Sequence, residues 1–282
     1  MSKAQKDNLY IKNTIEKNKP FFIGRIAGCE LKIAYNVLNN NLLDIADDLK
    51  ELENNAGIHV KNNESLRTYI NKLVESYENC TVIAEWDTDG KVFEHTGIGQ
   101  KLITSRTPNI PKINALALEP YYFKDSWMPA LKAKKILIVH PFSKTFSRQI
   151  PNLKKIFPKH KWFEDCEFQC ICPPLTLAGN HNNIDWQEHL TPFLESLKEV
   201  KKFDIALVAA GGYGMLIADF LFKELGRSVI YIGGALQLFF GVIGKRWFEN
   251  KDILKLVNDD WIRPDKEDKP SNFTKVERGC YW

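Results

Sequence analysis

Residues 204–247 read DIALVAAGGYGMLIADFLFKELGRSVIYIGGALQLFFGVIGKRW, and this stretch decides the fold. Residues 204–210 are an apolar run of strand length, closed by Gly211, Gly212 and Gly214. Residues 215–225 are apolar enough for a helix that covers a sheet, and 228–232 make a second strand ending on Gly233 and Gly234. A strand, a crossover helix and a parallel strand of this length form a βαβ unit, whose sheet takes its ligands beyond the carboxyl ends of the strands. Both glycine turns therefore open on one edge. The expected fold is α/β, with a Rossmann-like core, a mostly parallel sheet flanked by helices, and a helical N-terminal insertion or subdomain.

Outward from this unit, residues 135–139 are continuously apolar, as an internal parallel strand buried on both faces should be. Residues 21–23, 80–85 and 168–171 read as further strands. Helices are expected over 4–18, from Cys29 or Glu30 to Asn36 or beyond, and over 147–156. Another is expected over 186–202, where Asp185 is a suitable cap. Residues 43–78 read as mostly helical, broken at 54–57 and restarted at Asn62-Asn63. The stretch from 90 to 120 reads as loop with short helices. Residues 1–258 then form one α/β domain of one or two lobes, and 259–282 a C-terminal tail along the surface.

A chain of 282 residues that is 44% hydrophobic is of ordinary globular composition. Its 39 basic and 35 acidic residues leave a net charge of +4, and no basic run concentrates it, which argues against nucleic acid as a partner. The N-terminal residues lack the apolar stretch of a secretory signal, and no segment approaches the length needed to cross a bilayer, so a soluble, cytoplasmic chain is expected. Its six cysteines are expected to be reduced. Cys166, Cys170 and Cys172 lack a fourth ligand at a zinc-like spacing and read as buried apolar thiols.

Four places carry candidate chemistry. In Gly24-Arg25-x-x-Gly28-Cys29-Glu30, a glycine turn enters a helix whose free N–H groups favour an anion; Arg25 offers a planar fork for phosphate. Glu30 is then a base or a cation ligand, or simply complements the helix dipole. After a strand, Trp86-Asp87-Thr88-Asp89-Gly90 holds two carboxylates that can share a cation, a pattern also common in surface turns. His140-Pro-Phe-Ser143-Lys144 follows another strand and offers a donor or base beside a cation. Gly211-Gly212-Tyr213-Gly214 and Gly233-Gly234 with Gln237 let backbone approach a ribose or diphosphate, with Lys245 and Arg246 as further phosphate contacts. The glycines do not recur as a dinucleotide fingerprint, which disfavours a nicotinamide enzyme. No nucleophile elbow supports a serine hydrolase, and Cys29 at a helix start is the one thiol nucleophile to weigh.

The run Phe22-Ile-Gly-Arg25-Ile-Ala-Gly28-Cys-Glu30-Leu31 resembles the N-terminal motif of GT-D type glycosyltransferases, in which an arginine-bearing strand leads into a D-x-E segment at a metal-bound sugar nucleotide. Arg25 stands at the arginine, Glu30 at the second acid, and Gly28 where the first acid belongs; Asp87 or Asp89 would have to replace that carboxylate. Glu119-Pro-Tyr-Tyr122, Trp127, His140-Pro-Phe142, residues 210–214 and 233–247 are similar to a group of bacterial and viral proteins associated with surface-polysaccharide synthesis. The resemblance implies a transferase that moves a sugar from a nucleotide-sugar donor to a glycan or lipid-linked glycan, the latter with peripheral membrane association. It implies Mg²⁺ or Mn²⁺ held by Glu30, Asp87 and Asp89, with His140 as a second catalytic group. A non-catalytic sugar-nucleotide or glycan-binding protein and a phosphoryl or nucleotidyl transferase are the alternatives.

Overall fold

The computed structural model describes residues 1–41 and 45–282; the first two residues of the helical segment expected over 43–78 lie outside the described residues. Seven strands form one sheet: β1 (Phe22–Arg25), β2 (Val82–Glu85), β3 (Lys112–Asn114), β4 (Lys135–Val139), β5 (Glu167–Ile171), β6 (Ile205–Val208) and β7 (Ser228–Tyr231). Their order is β3-β2-β1-β7-β6-β4-β5, and every pairing is parallel. Helices α1 (Lys3–Glu16), α2 (Cys29–Leu38), α3 (Ile45–Glu51), α4 (Asn63–Glu78), α5 (Phe93–Arg106), α6 (Ser143–Gln149), α7 (Leu153–Ile156), α8 (Trp186–Lys198), α9 (Gly214–Lys223) and α10 (Lys251–Leu254) surround it.

Alternation along the strands divides the interior into two cores, because successive side chains point to opposite faces. Ile136, Ile138, Ile205, Leu207 and Ile230 join the core that also takes Ile11 of α1 and Phe146 of α6. Leu137, Val139, Ala206, Val208 and Val229 join the core built with α2, α4, α5, α8 and α9. The tail contributes to the first core through Trp261, Val276 and Trp282, so it is packed into the domain as well as wrapped on its surface.

Connections leave β4 and β6 in opposite directions, toward β5 and β7 respectively, and such a switch point opens a crevice at the carboxyl ends of the strands. The β1–β7 contact joins the two halves of the sheet through only Phe22–Val229 and Ile23–Ile230. Several elements differ from the sequence expectation, and one is β1, which runs on through Gly24 and Arg25 where a turn is expected. The stretch 90–120 holds a full helix, α5, and a strand, β3; α5 carries Gly97 and Gly99 and has no side-chain cap. The helix expected over 147–156 begins at Ser143 and is broken by a short 3₁₀ turn at Ile150–Asn152.

Gly99 explains how a poor helix former is retained. A Cβ there would lie 2.3 Å from the Cβ of Leu31, so α2 and α5 approach more closely than any side chain permits. Gly99→Ala is therefore expected to destabilise the fold by about 1–3 kcal/mol, overpacking outweighing the ~1 kcal/mol gain in helix propensity. Urea unfolding at constant m-value checks the sign.

Candidate active site at the carboxyl edge of the sheet

Arg25, the last residue of β1, is buried, with both terminal nitrogens engaged and Nε without a hydrogen-bond partner. Its Nη1 donates to the Ile232 carbonyl at 2.6 Å beyond β7, and its Nη2 pairs with Glu119 Oε1 at 2.6 Å. The guanidinium lies 4.5 Å from the ring centroid of Trp86, and Tyr121 donates its hydroxyl to the other oxygen of Glu119. Trp86 is itself held, its indole N–H donating to the Ile26 carbonyl and Gln100 bonding its backbone on both sides. Arg25 is thus a clamp across the β1–β7 junction. The phosphate grip expected of it would require giving up this buried pair.

One turn onward, Glu30 lies in the first turn of α2, buried, and among the described residues no cation pairs with it. Burial pushes its carboxyl above the usual range, outweighing its own helix N–H and the Cys29 thiol, which sits 3.4 Å away; the Glu277 and Glu51 carboxylates push the same way. Burial and the neighbouring Glu30 push the Cys29 thiol well up, which removes it as a thiolate nucleophile. The start of α2 has no side-chain cap, and a Cβ added at Gly28 would meet nothing within 4 Å. Here the edge has room.

The glycine turns are placed differently. A Cβ on Gly211 would lie 2.8 Å from the Ala56 carbonyl, one on Gly212 would lie 2.4 Å from Ile58, and one on Gly214 would lie 2.2 Å from the Tyr231 ring. Tyr69 and Tyr231 donate their hydroxyls to the carbonyls of Gly212 and Gly211. These glycines admit protein neighbours at close range. Tyr213 is buried with its hydroxyl near Thr176, so its ring presents no face for stacking a base. Gly233 has φ of 73° and faces Arg25; Gly234 is covered by Tyr281, and Gln237 donates to the Val242 and Tyr281 carbonyls.

His140 ends β4 where expected, yet it is buried against Phe142 and Phe146, and burial lowers its pKa to about 3. Its Nδ1 accepts the Phe142 N–H at 2.9 Å. With Nδ1 occupied and protonation disfavoured by burial, the imidazole is a poor general base near neutral pH, which corrects the base role expected of it. Ser143 is buried at the start of α6, and Lys144 is exposed and pairs with Glu267 of the tail at 3.1 Å. Arg148 pairs with Asp265, and Thr145 donates twice to Asp268. Arg246 pairs with Glu277 at 3.3 Å and with the Tyr281 hydroxyl at 2.8 Å; Lys245 is exposed. Tail carboxylates therefore sit on two of the cations expected to meet phosphate, Lys144 and Arg246.

The expected metal set does not converge. Asp87 is exposed and accepts from the Asn114 amide at 2.7 Å, Asp89 is exposed, and Glu30 is buried. Among the described residues the three-ligand cluster is another one, Glu53, His59 and His181, with ligand atoms within 4.8 Å of one another. Sequence reading missed it because His59 and His181 lie 122 residues apart with no motif around either. The three cysteines of residues 166–172 are free; Cys166 and Cys170 are half-buried with thiols pushed up to about 11 by burial, whereas Cys172 is exposed, against the expectation of a buried thiol.

Two cavities border these elements. One, of about 160 Å³, lies at the carboxyl edge between Pro141, Leu175, Leu177 and tail residues including Asp268 and Trp282. The other, of about 430 Å³, is a groove away from that edge between α4, α8 and α9, and Trp186, Asp219 and Phe220 line it. No helix among the described residues is long and apolar enough to cross a membrane. No protein-family model, curated protein or solved structure matches the chain.

Two stability outcomes follow from these burials. Glu119→Ala leaves the Arg25 guanidinium buried without its partner and is expected to cost about 3–5 kcal/mol in chemical unfolding. For Glu30 the folded pKa is raised, so the native state keeps this proton longer than the unfolded chain, and stability falls as pH rises from the ordinary carboxylate range through the folded pKa. Glu30→Gln should therefore raise the melting temperature at about pH 8 and leave it near the parent value at about pH 4, as scanning calorimetry at both pH values would read.

Proposed function

We propose that this chain is a glycosyltransferase that moves a sugar from a nucleotide-sugar donor to a glycan or lipid-linked glycan acceptor, acting at the cytoplasmic side. The observation that carries the reading is Glu30, a buried carboxylate without a cation, with its pKa raised, beside the uncapped start of α2 at the end of a central parallel strand. A carboxylate with a raised pKa is a stronger base than an exposed one, which suits it to deprotonating a sugar hydroxyl. The resemblance of residues 22–31 to the GT-D motif supports the same residue.

In this mechanism the acceptor O–H gives its proton to Glu30, the oxygen bonds to the anomeric carbon, and the bond to the nucleoside diphosphate breaks. The start of α2, which no side chain caps, and the open space at Gly28 receive the diphosphate. Lys245, exposed on the turn that follows Gly241 and Gly244, supplies positive charge, whereas Arg246 would first have to leave Glu277. Glu30, Asp87 and Asp89 do not provide a shared cation site, so no step is routed through Mg²⁺ or Mn²⁺. Arg25 acts by holding the crevice in shape.

A second reading, a sugar-nucleotide or glycan-binding protein without turnover, is favoured by Gly28 in place of an acid and by the engagement of Arg25 with Glu119. Donor breakdown separates the two. Purified protein is screened against sugar nucleotides by thermal shift, since a ligand that binds only the folded form stabilises it. The best donor is then followed for nucleoside diphosphate release with glycan acceptors. Under the transferase reading Glu30→Gln lowers kcat by roughly 10²–10⁴-fold with donor affinity little changed. The parent rate should rise with pH along a limb displaced above the ordinary carboxylate range, and the variant should lack that limb. Binding without donor breakdown under all acceptors would leave the binding protein as the reading; parent-like rates in Glu30→Gln would remove Glu30 from the mechanism.

A further inference from the structure

Glu53 lies in a single turn of π-helix (Leu52–Ala56), a rare element that is enriched at functional sites. Gly57 closes it at φ 74°, and its carbonyl accepts the Thr176 hydroxyl at 2.6 Å. His59 follows, its carbonyl accepting the Trp186 N–H at 2.9 Å. Opposite stands the turn of residues 177–183, where Ala178, Gly179, Asn182 and Asn183 all take positive φ and bring His181 back toward Glu53. Two segments far apart in sequence are thus fastened by backbone contacts so that three side chains meet.

His181 Nε2 lies 2.8 Å from Glu53 Oε1, and His59 Nδ1 lies 3.6 Å from Glu53 Oε2. The imidazoles stack, with ring centroids 3.8 Å apart and an interplanar angle of 8°. His59 Nδ1 is buried and has no hydrogen-bond partner, although it faces a carboxylate. A buried ring nitrogen without a hydrogen-bond partner is unfavourable, because it has lost water and gained nothing in exchange. This unpartnered nitrogen lies within 4.8 Å of two other ligand atoms, one on Glu53 and one on His181.

We propose that Glu53, His59 and His181 form a binding site for a divalent transition metal ion of the zinc class. Two imidazole nitrogens and one carboxylate suit Zn²⁺, Co²⁺ or Ni²⁺, whereas Mg²⁺ prefers oxygen ligands. Three protein ligands leave further coordination positions, and the partly exposed Glu53 directs them to solvent. This site is independent of Glu30 and of the transferase reading.

Loading changes the local arrangement in two defined ways. An ion at roughly 2.0–2.1 Å from each nitrogen cannot lie in the planes of two parallel rings, so the stack opens as one ring turns about χ2. His181 Nδ1 now accepts the Asn183 N–H at 3.0 Å, which places its proton on Nε2. Coordination through Nε2 moves that proton to Nδ1. The Asn183 N–H released in the exchange is on an exposed residue, where water can take it.

Calorimetric titration of the full chain, first stripped with a chelator, tests the assignment with Zn²⁺ and Mg²⁺ as probes and with His59→Ala and Glu53→Ala alongside. Circular dichroism checks that each variant is folded, and metal content after dialysis gives stoichiometry. The expected result is one Zn²⁺ bound per chain, with Zn²⁺ affinity weakened at least about tenfold in each folded variant and Mg²⁺ much weaker than Zn²⁺. Absence of Zn²⁺ binding by the parent, unchanged affinity in either folded variant, or Mg²⁺ binding as tight as Zn²⁺ would overturn it. Visible absorption of the Co²⁺ form supplies an independent reading: ligand-field bands that persist unchanged in His59→Ala would also overturn the site.

Discussion

The Arg25 clamp is the interaction on which the rest of the structure depends. The two halves of the sheet meet through a short β1–β7 pairing, and Arg25 extends that junction by binding the Ile232 carbonyl and Glu119 together. Burying an arginine and a glutamate is costly, and the cost is offset only when both find close partners. Here the partners include a backbone carbonyl, the Tyr121 hydroxyl and the face of Trp86. The pair therefore ties together four connections at the carboxyl edge: those after β1, β2, β3 and β7.

From that junction follows the electrostatic character of the edge. The cations are largely matched, Arg25 by Glu119 and Lys144, Arg148 and Arg246 by tail carboxylates. The exposed pairs contribute little to stability individually, because water screens them. Their effect is to set where charge is already satisfied. Glu30 is the contrasting case, since it is buried, its hydrogen bonds come from its own helix N–H and the Cys29 thiol, and the charges acting on it are the carboxylates of Glu277 and Glu51. Among the described residues, the buried polar atoms without a hydrogen-bond partner include Arg25 Nε and Gln237 Oε1 at this edge and, elsewhere in the chain, His59 Nδ1.

Packing at the glycine turns has a similar logic. Gly211, Gly212 and Gly214 were read as backbone made bare for a ligand, and the structure uses their missing side chains to admit the π-turn, Ile58 and Tyr231. Because the same turn also accepts two tyrosine hydroxyls, it is a rigid support. Space remains beside Gly28 instead.

Composition and apolar periodicity alone determined the α/β class, the parallel strands β4, β6 and β7, and the caps of α4 and α8, because these depend on residues near one another in the chain. The strand ends at His140, Gly211 and Gly233 were legible for the same reason. Helix α5 was not, since its glycines and missing cap speak against a helix until Leu31 is seen packed on Gly99. Nor was the fate of the charged groups: whether Arg25 meets a phosphate or Glu119, and whether His140 is wet or buried, is set by partners 94 residues away or by aromatic neighbours that only folding assembles. The Glu53, His59 and His181 cluster belongs wholly to the tertiary structure. Ligand chemistry depends on distances of a few ångströms between side chains, and the sequence fixes those distances only through the packing of the whole chain.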